Sequence, residues 1–462
     1  MSHWLLDGIE ERRRAALKAS DKAQVYRELL STDAELDLNL ILDVANALEL
    51  ASLDLILERF EENEEKEKLL RAAACDAFQL FKTLFVAGSP LDQGKTLLRA
   101  SCLAILGDRG SDAARWLRAL EDTGDWPDLP INSENWGERT WATLIDVWLR
   151  LIRKRGWSDR DLVLERIANL RSSQMEFEKN YLDGVPTHSA KATALELIGL
   201  YHLAKAADIL AQFITEGVVD GNHQVQQLLD THFDRAQAAC EPARLIELEP
   251  TTRLLAAASA QLVNNSIWTV TRAVNSRVTQ FVRTLVSRGR GNKAIFDVLP
   301  PQRRTLAEKG LLGSSRRAVV VSLPTSSGKT LIAQFRILQA LNQFDDQGSE
   351  GWVAYLAPTR ALVNQVARQL RSDFKPLGVV VERVSPALEV DGIEMELLTE
   401  TAPDAKFRVL VTTPEKLDLM LRQGWESKIG RPLTLVIVDE AHNLQSPRRG
   451  LNLELLLATI NN

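Results

Sequence analysis

The densest chemistry in the chain lies in Pro324-Thr-Ser-Ser-Gly-Lys-Thr330. This segment follows a β-branched run, Ala318-Val-Val-Val-Ser-Leu323, and a helical pattern begins at Leu331. A strand that passes through a tight turn into a helix presents successive backbone N–H groups at one concave point, where a phosphate is held. In that setting Thr325, Ser326, Ser327 and Gly328 line the anion, and Lys329 reaches the β- and γ-phosphates of a nucleotide such as ATP. The Thr330 hydroxyl is then a ligand for Mg²⁺. The general phosphate-loop pattern opens with a glycine at the place that Leu323 occupies here. A second Gly-Lys-Thr, Gly94-Lys95-Thr96, sits in helical surroundings with Ser89 at the first position, and is read as a decoy.

Downstream, Val436-Ile-Val438 runs into Asp439-Glu440-Ala441-His442. A carboxylate at the C-terminal end of a buried parallel strand faces the ligand crevice of an open α/β sheet. Asp439 is then placed to hold Mg²⁺ through water, and Glu440 to orient and deprotonate an attacking water. Taken alone, the pair also fits a chance acidic turn after a strand.

These residues need a scaffold, and the texture of the chain supplies one. Up to about residue 287 apolar residues recur at three- and four-residue spacing, as in Leu144, Val147, Trp148 and Leu151. The region 1–287 is therefore expected to be all-α, with the Pro-, Asp- and Asn-rich stretch 121–136 as a long loop that divides it into two subdomains. Trp116, Trp141 and Trp148 are expected in its core. From 288 to 462 short β-branched runs alternate with helical stretches. The runs at 318–323, 352–356, 379–383, 408–412 and 433–438 read as buried strands of a parallel sheet with helices on both faces.

Composition narrows the class. The chain has 462 residues and a formal net charge of -6, so a nucleic-acid grip must come from local groups, not from a basic average. Arg288, Arg290, Lys293, Arg303 and Arg304 form the one basic patch near the junction, which also reads as a solvated linker. The three cysteines, Cys75, Cys102 and Cys240, show no metal or disulfide spacing and suit reduced thiols in a cytoplasmic protein. The N-terminus lacks the apolar core of a signal peptide, no uncharged apolar stretch reads as a membrane span, and no membrane partner is expected.

The ordered set of motifs resembles the superfamily 2 DEAD/DEAH-box (DExH) helicases, superkiller-like branch. Pro324 to Thr330 resembles helicase motif I, and Ala357-Pro-Thr-Arg-Ala-Leu362 motif Ia. Thr413-Pro-Glu-Lys416 resembles motif Ib, and Asp439 to His442 motif II. Leu299-Pro-Pro-Gln302 resembles the upstream Q-type motif, and Arg449-Gly450 with Glu454 resembles the segment after motif II in that branch.

The resemblance covers roughly residue 293 to the end. It implies a RecA-like P-loop NTPase domain that uses ATP and Mg²⁺ to move on DNA or RNA. It also implies Gln302 on the adenine edge, Thr359, Arg360, Thr413 and Pro414 on the nucleic-acid backbone, and His442 coupling the nucleotide site to neighbouring motifs. Long helical extensions of this kind are similar to those of some bacterial anti-phage defence helicases.

Soon after motif II the sequence stops at Asn462, without a motif III and without the second RecA-like domain that in the family completes the ATP site. That domain supplies an arginine finger worth about 10³–10⁵ in rate. The expectation is a domain truncated after motif II that binds nucleotide weakly and hydrolyses it poorly by itself. The alternative reading is a hydrolysis-deficient nucleotide-binding module whose helical region docks a protein partner.

Overall fold

Helix-period patterning in the first part of the chain yields the helices it demands, and the β-branched runs yield a sheet with one exception. A computed structural model of the chain describes residues 3–26, 36–54, 64–85, 88–181, 187–219, 224–271, 276–288, 294–313, 318–324, 327–346, 351–383, 407–422, 431–442 and 449–461. Two compact units are formed: Met1–Thr269 with Val286–Pro300, and Val270–Leu285 with Pro301–Asn462.

The chain thus passes between units three times, instead of once near residue 287. Side-chain packing is the reason. Phe281 is fully buried in the second unit, edge-on to Phe335 and Phe374 with centroids 5.6 and 5.7 Å away. Residues 286–300 return to the first unit. There Trp157 Nε1 donates to the Val286 carbonyl at 3.0 Å, and Ile267 N donates to Phe296 O at 2.9 Å. The Arg-Gly texture at 288–291 marks a connection and not the edge of a core.

The described helices of the first unit are α1 (Trp4–Val25), α2 (Leu38–Ser52), α3 (Glu64–Leu84), α4 (Pro90–Leu106), α5 (Gly110–Thr123), α6 (Trp136–Arg153), α7 (Trp157–Tyr181), α8 (Thr187–Glu216), α9 (Val225–Ala243), α10 (Leu248–Asn265) and α11 (Ile267–Thr271, up to Thr269). The starts of α2, α4 and α6 are capped by short polar side chains that accept otherwise unpaired N–H groups. Asp37 accepts from Leu40 N, and Asn135 from Glu138 N. The stretch after α5 is the loop expected, with Gly124 in the left-handed region at φ 81°. It does not separate subdomains, because α5 and α6 on either side of it pack together in one unit.

Trp141 and Trp148 are buried, and the half-buried Trp116 packs edge-on against Phe78 and Phe85. All three cysteines are free thiols, and complete burial pushes the Cys102 thiol far up.

One described helical stretch, although it carries charges, meets a span's length and composition. Lys191–Glu216, within α8, is long and apolar enough to cross a membrane by length and composition. Its apolar window is 56% buried inside the fold, where α8 lies along α9. Burial of an apolar helix on several sides produces the same composition as a lipid-facing span.

The second unit contains α12 (Ser276–Ser287, up to Leu285), a short turn α13 (Pro300–Arg303, from Pro301), and α14 (Lys329–Asp346). It continues with β1 (Trp352–Leu356), α15 (Arg360–Phe374), β2 (Val381–Arg383), β3 (Val409–Thr412), α16 (Pro414–Arg422), β4 (Leu433–Val438) and α17 (Arg449–Asn461). The four strands are all parallel, in the order β2-β3-β1-β4.

Strand side chains alternate between faces. Trp352, Ala354 and Leu356 of β1 join Leu417 and Met420 of α16 and Leu453 of α17 in one apolar cluster. No residue of α14 belongs to that cluster, yet α14 lies against β4 and β1, so it covers the opposite face.

The exception is 318–323. This run is not a strand of the sheet, and Val319, Val320 and Val321 are 45%, 90% and 38% exposed. β-Branching records a preference for extended backbone but does not name the edge to pair with. β4, the sheet's last strand on that side, is only half-buried along its whole length.

Candidate active site

Parallel pairing fixes the site, because it brings every strand's C-terminal end to one edge. Leu356 is in register with Thr412 on one side and with Val438 on the other. The ladder continues one step past the strand ends: Ala357 N donates to Thr412 O at 3.0 Å, and Asp439 N to Leu356 O at 2.9 Å. Ala357 to Arg360, Thr413 with Pro414, and Asp439 with Glu440 therefore emerge side by side.

The acidic pair is tightly held. Glu440 has φ 53°, in the left-handed region that a non-glycine residue enters at a cost of about 1–2 kcal/mol. Backbone strain of this kind concentrates at functional sites. The turn ends β4 at once and brings Glu440 N onto Asp439 Oδ1 at 3.0 Å. The other oxygen, Oδ2, accepts the hydroxyl of Tyr355 at 3.0 Å. Burial, then the Asp439 charge, push the Tyr355 phenol far above its ordinary range, so it stays a neutral donor. Beyond the pair, His442 Nδ1 lies 3.1 Å from Glu440 Oε2 on an exposed turn.

The phosphate loop is described at Pro324 and from Ser327 onward; Thr325 and Ser326 lie outside the described residues. Ser327 is buried, and its hydroxyl donates to Pro324 O at 2.7 Å, closing the loop on itself. Gly328 has φ 72°, and a Cβ there would lie 2.3 Å from Gln302 Nε2. Glycine is thus required twice, by conformation and by space. Lys329 and Thr330 are half-buried in the first turn of α14.

Gln302 is expected on an adenine edge. Here its amide nitrogen donates to the Ser327 and Gly328 carbonyls at 3.0 and 3.3 Å, so the residue braces the loop. It is 4% exposed, buried beneath the loop instead of facing solvent. Of the junction basics, Arg303 pairs with Glu308 at 3.1 Å, while Arg290 and Lys293 lie outside the described residues.

On the neighbouring strand ends, Thr359 caps α15, its hydroxyl accepting Leu362 N at 3.4 Å. Thr359 and Arg360 are exposed, while Thr413 and Pro414 are half-buried at the start of α16. The decoy is resolved as well. Gly94-Lys95-Thr96 lies inside α4, with Gly94 buried and Lys95 Nζ 2.6 Å from Glu247.

Residues 300–462 match the family model of the DEAD/DEAH box helicases. They form a DEAD/DEAH-box helicase domain. The chain is 29% identical over 168 residues to the ATP-dependent DNA helicase Hel308 of Methanocaldococcus jannaschii, covering 36% of this chain and 13% of that protein. It is 29% identical over 145 residues to the probable ATP-dependent DNA helicase HFM1 of Xenopus tropicalis, covering 31% of this chain and 10% of that protein. Against the DExH-box ATP-dependent RNA helicase DExH12 of Arabidopsis thaliana it is 33% identical over 147 residues, 30% of this chain and 6% of that one. The matches thus span a small part of each relative's length.

Sequence reasoning missed Tyr355. Its signal was weak: a lone hydroxyl within an otherwise apolar strand, Trp352-Val-Ala-Tyr-Leu356, facing a partner that only the register identifies.

Proposed function

We propose that the helicase domain is an ATP-driven motor lobe that grips a nucleic-acid strand through its backbone. The observation that carries this reading is the shared edge. Asp439 and Glu440, the α15 start at Thr359 and Arg360, and Thr413 with Pro414 all leave the sheet at one end. Chemistry and strand contact on adjacent strand ends can be coupled by small shifts of one rigid sheet.

The residues suit magnesium and a triphosphate. Each Asp439 oxygen accepts one protein hydrogen bond, and a carboxylate has about four lone-pair sites, so acceptor capacity remains. A carboxylate and a threonine hydroxyl are hard oxygen donors of the kind Mg²⁺ takes. Gly328, left-handed at φ 72°, has no Cβ to displace the Gln302 amide that braces the loop. Asp439 and Thr330 would hold the ion, whose charge, when bound, offsets that developing on the phosphate oxygens.

The chain's own groups do the rest. Lys329 neutralises the terminal phosphates from the first turn of α14. Glu440 orients a water and accepts its proton, and His442, 3.1 Å away, holds the Glu440 carboxylate. The exposed Arg360 and the first N–H groups of α15 meet strand phosphates, which carry no base information.

The test is an ATPase assay with single- and double-stranded DNA and RNA side by side. Nucleotide binding that depends on Lys329, and turnover raised by at least one polymer regardless of its sequence, is the expected result. Absence of nucleotide binding by the wild-type chain would overturn the reading.

A further inference from the structure

We infer that Tyr355 is a positioning residue for Asp439: its phenol fixes the orientation in which the carboxylate is offered to the metal–nucleotide complex. This rests on the motor reading above and deepens it, since the family resemblance assigns this strand position no role.

The register is the first reason. Tyr355 is paired with Ile437 across the β1–β4 ladder. Asp439 lies two residues beyond Ile437, so by the period of two its side chain leaves the sheet on the same face as Tyr355. Diagonal neighbours of this kind are within reach of an aromatic side chain. The observed contact is Tyr355 hydroxyl to Asp439 Oδ2, 3.0 Å. That face is the one covered by α14, whose first turn carries Lys329 and Thr330.

The second reason is burial. Tyr355 is 2% exposed, and the rest of its strand is apolar. A hydroxyl in such a place needs an acceptor, and losing it leaves a desolvated polar group. Leu or Val would fill a strand interior without that requirement, so the oxygen calls for a reason of its own.

The third reason is the division of the two carboxylate oxygens. Glu440 N holds Oδ1 and Tyr355 holds Oδ2. Together they remove rotation about the terminal torsion, which is otherwise broad. A metal-ligating carboxylate is typically oriented in this way, and loss of such an outer contact costs about 10–100-fold in metal affinity or activity.

The experiment uses the whole chain and a fluorescent ATP analogue. Tyr355→Phe removes one oxygen and keeps the ring. Binding is measured in EDTA and then titrated with Mg²⁺, and the turnover that any polymer supports is resolved into nucleotide KM and Mg²⁺ half-saturation.

For Tyr355→Phe we expect unchanged binding in EDTA, a Mg²⁺ midpoint about tenfold higher, and nucleotide KM at saturating Mg²⁺ close to wild type. A general packing defect would instead weaken binding in EDTA too, and that result overturns the inference. So does a wild-type Mg²⁺ midpoint in Tyr355→Phe while Asp439→Asn abolishes Mg²⁺ dependence; in that case the motor site stands and Tyr355 is only packing. Mg²⁺ dependence that survives Asp439→Asn removes the site assignment itself.

Discussion

The tripeptide Gly-Lys-Thr occurs once in each unit, and the two copies do opposite things. In the helical unit Gly94 is buried inside α4, and Lys95 reaches Glu247 and the face of Trp141, 5.2 Å from the ring centroid. In the sheet unit Gly328 turns left-handed and Lys329 opens a helix. The same three residues lie within a packed helix or open one after a left-handed turn, the loop proposed to hold phosphate, according to what precedes them. Ser89 closes a capping box with Asp92 and starts a helix before the first copy. Ser327 closes a loop onto Pro324 within the second.

The largest effects are expected at the residues proposed to do chemistry. Glu440→Gln keeps the shape and removes the base, so turnover should fall by about 10²–10⁴ while nucleotide binding persists. Wild-type turnover in that variant would show that the proton goes elsewhere. Lys329→Ala should lower turnover by about 10²–10³ through lost charge stabilisation. Lys95→Ala should leave turnover unchanged and cost at most about 1 kcal/mol of stability, since its partner Glu247 is 73% exposed. Equal effects from the two lysine variants on an ATPase assay would erase the distinction.

The glycines sharpen the same contrast. Gly328→Ala meets both a left-handed φ and the Gln302 amide, and should weaken nucleotide binding severalfold in a fluorescence titration. At Gly94 the backbone is helical, and an added Cβ would meet the end of the Leu129 side chain at 2.6 Å. The helix-propensity gain of about 1 kcal/mol offsets that crowding, so Gly94→Ala should melt within a few degrees of wild type and bind nucleotide normally.

The smallest effect is expected from pH, in the helical unit alone. His202 and His232 face each other Nδ1 to Nδ1 at 2.9 Å between α8 and α9. Burial lowers both, with added repulsion from Arg235 on each, from His232 on His202 and from Lys205 on His232. A depressed folded value means that the unfolded chain binds protons first. Stability is therefore complete above the ordinary value near 6.5 and declines as pH falls below it. Solvent screening keeps the shift in Tm on the order of 1 °C. A His232→Gln variant should flatten the Tm-against-pH curve between pH ~7 and ~5; an unaltered slope would exclude the pair as its cause.

The kinds of element, and the candidates for the reacting groups, were legible in the residues alone. Helical periodicity, the Gly-Lys-Thr turn and the Asp-Glu pair after a β-branched run are local signals, set by backbone sterics and side-chain type within a few residues. Packing and register set what no local signal carried. The tertiary structure showed that 318–323 stays outside the sheet, that Phe281 belongs to the second core, and that Gln302, expected on an adenine edge, donates to the phosphate-loop backbone. It also supplied Tyr355 as a partner for Asp439, 84 positions away in the chain. Such pairings depend on register and burial, and both are fixed by which strand end meets which, a quantity that no stretch of local sequence contains.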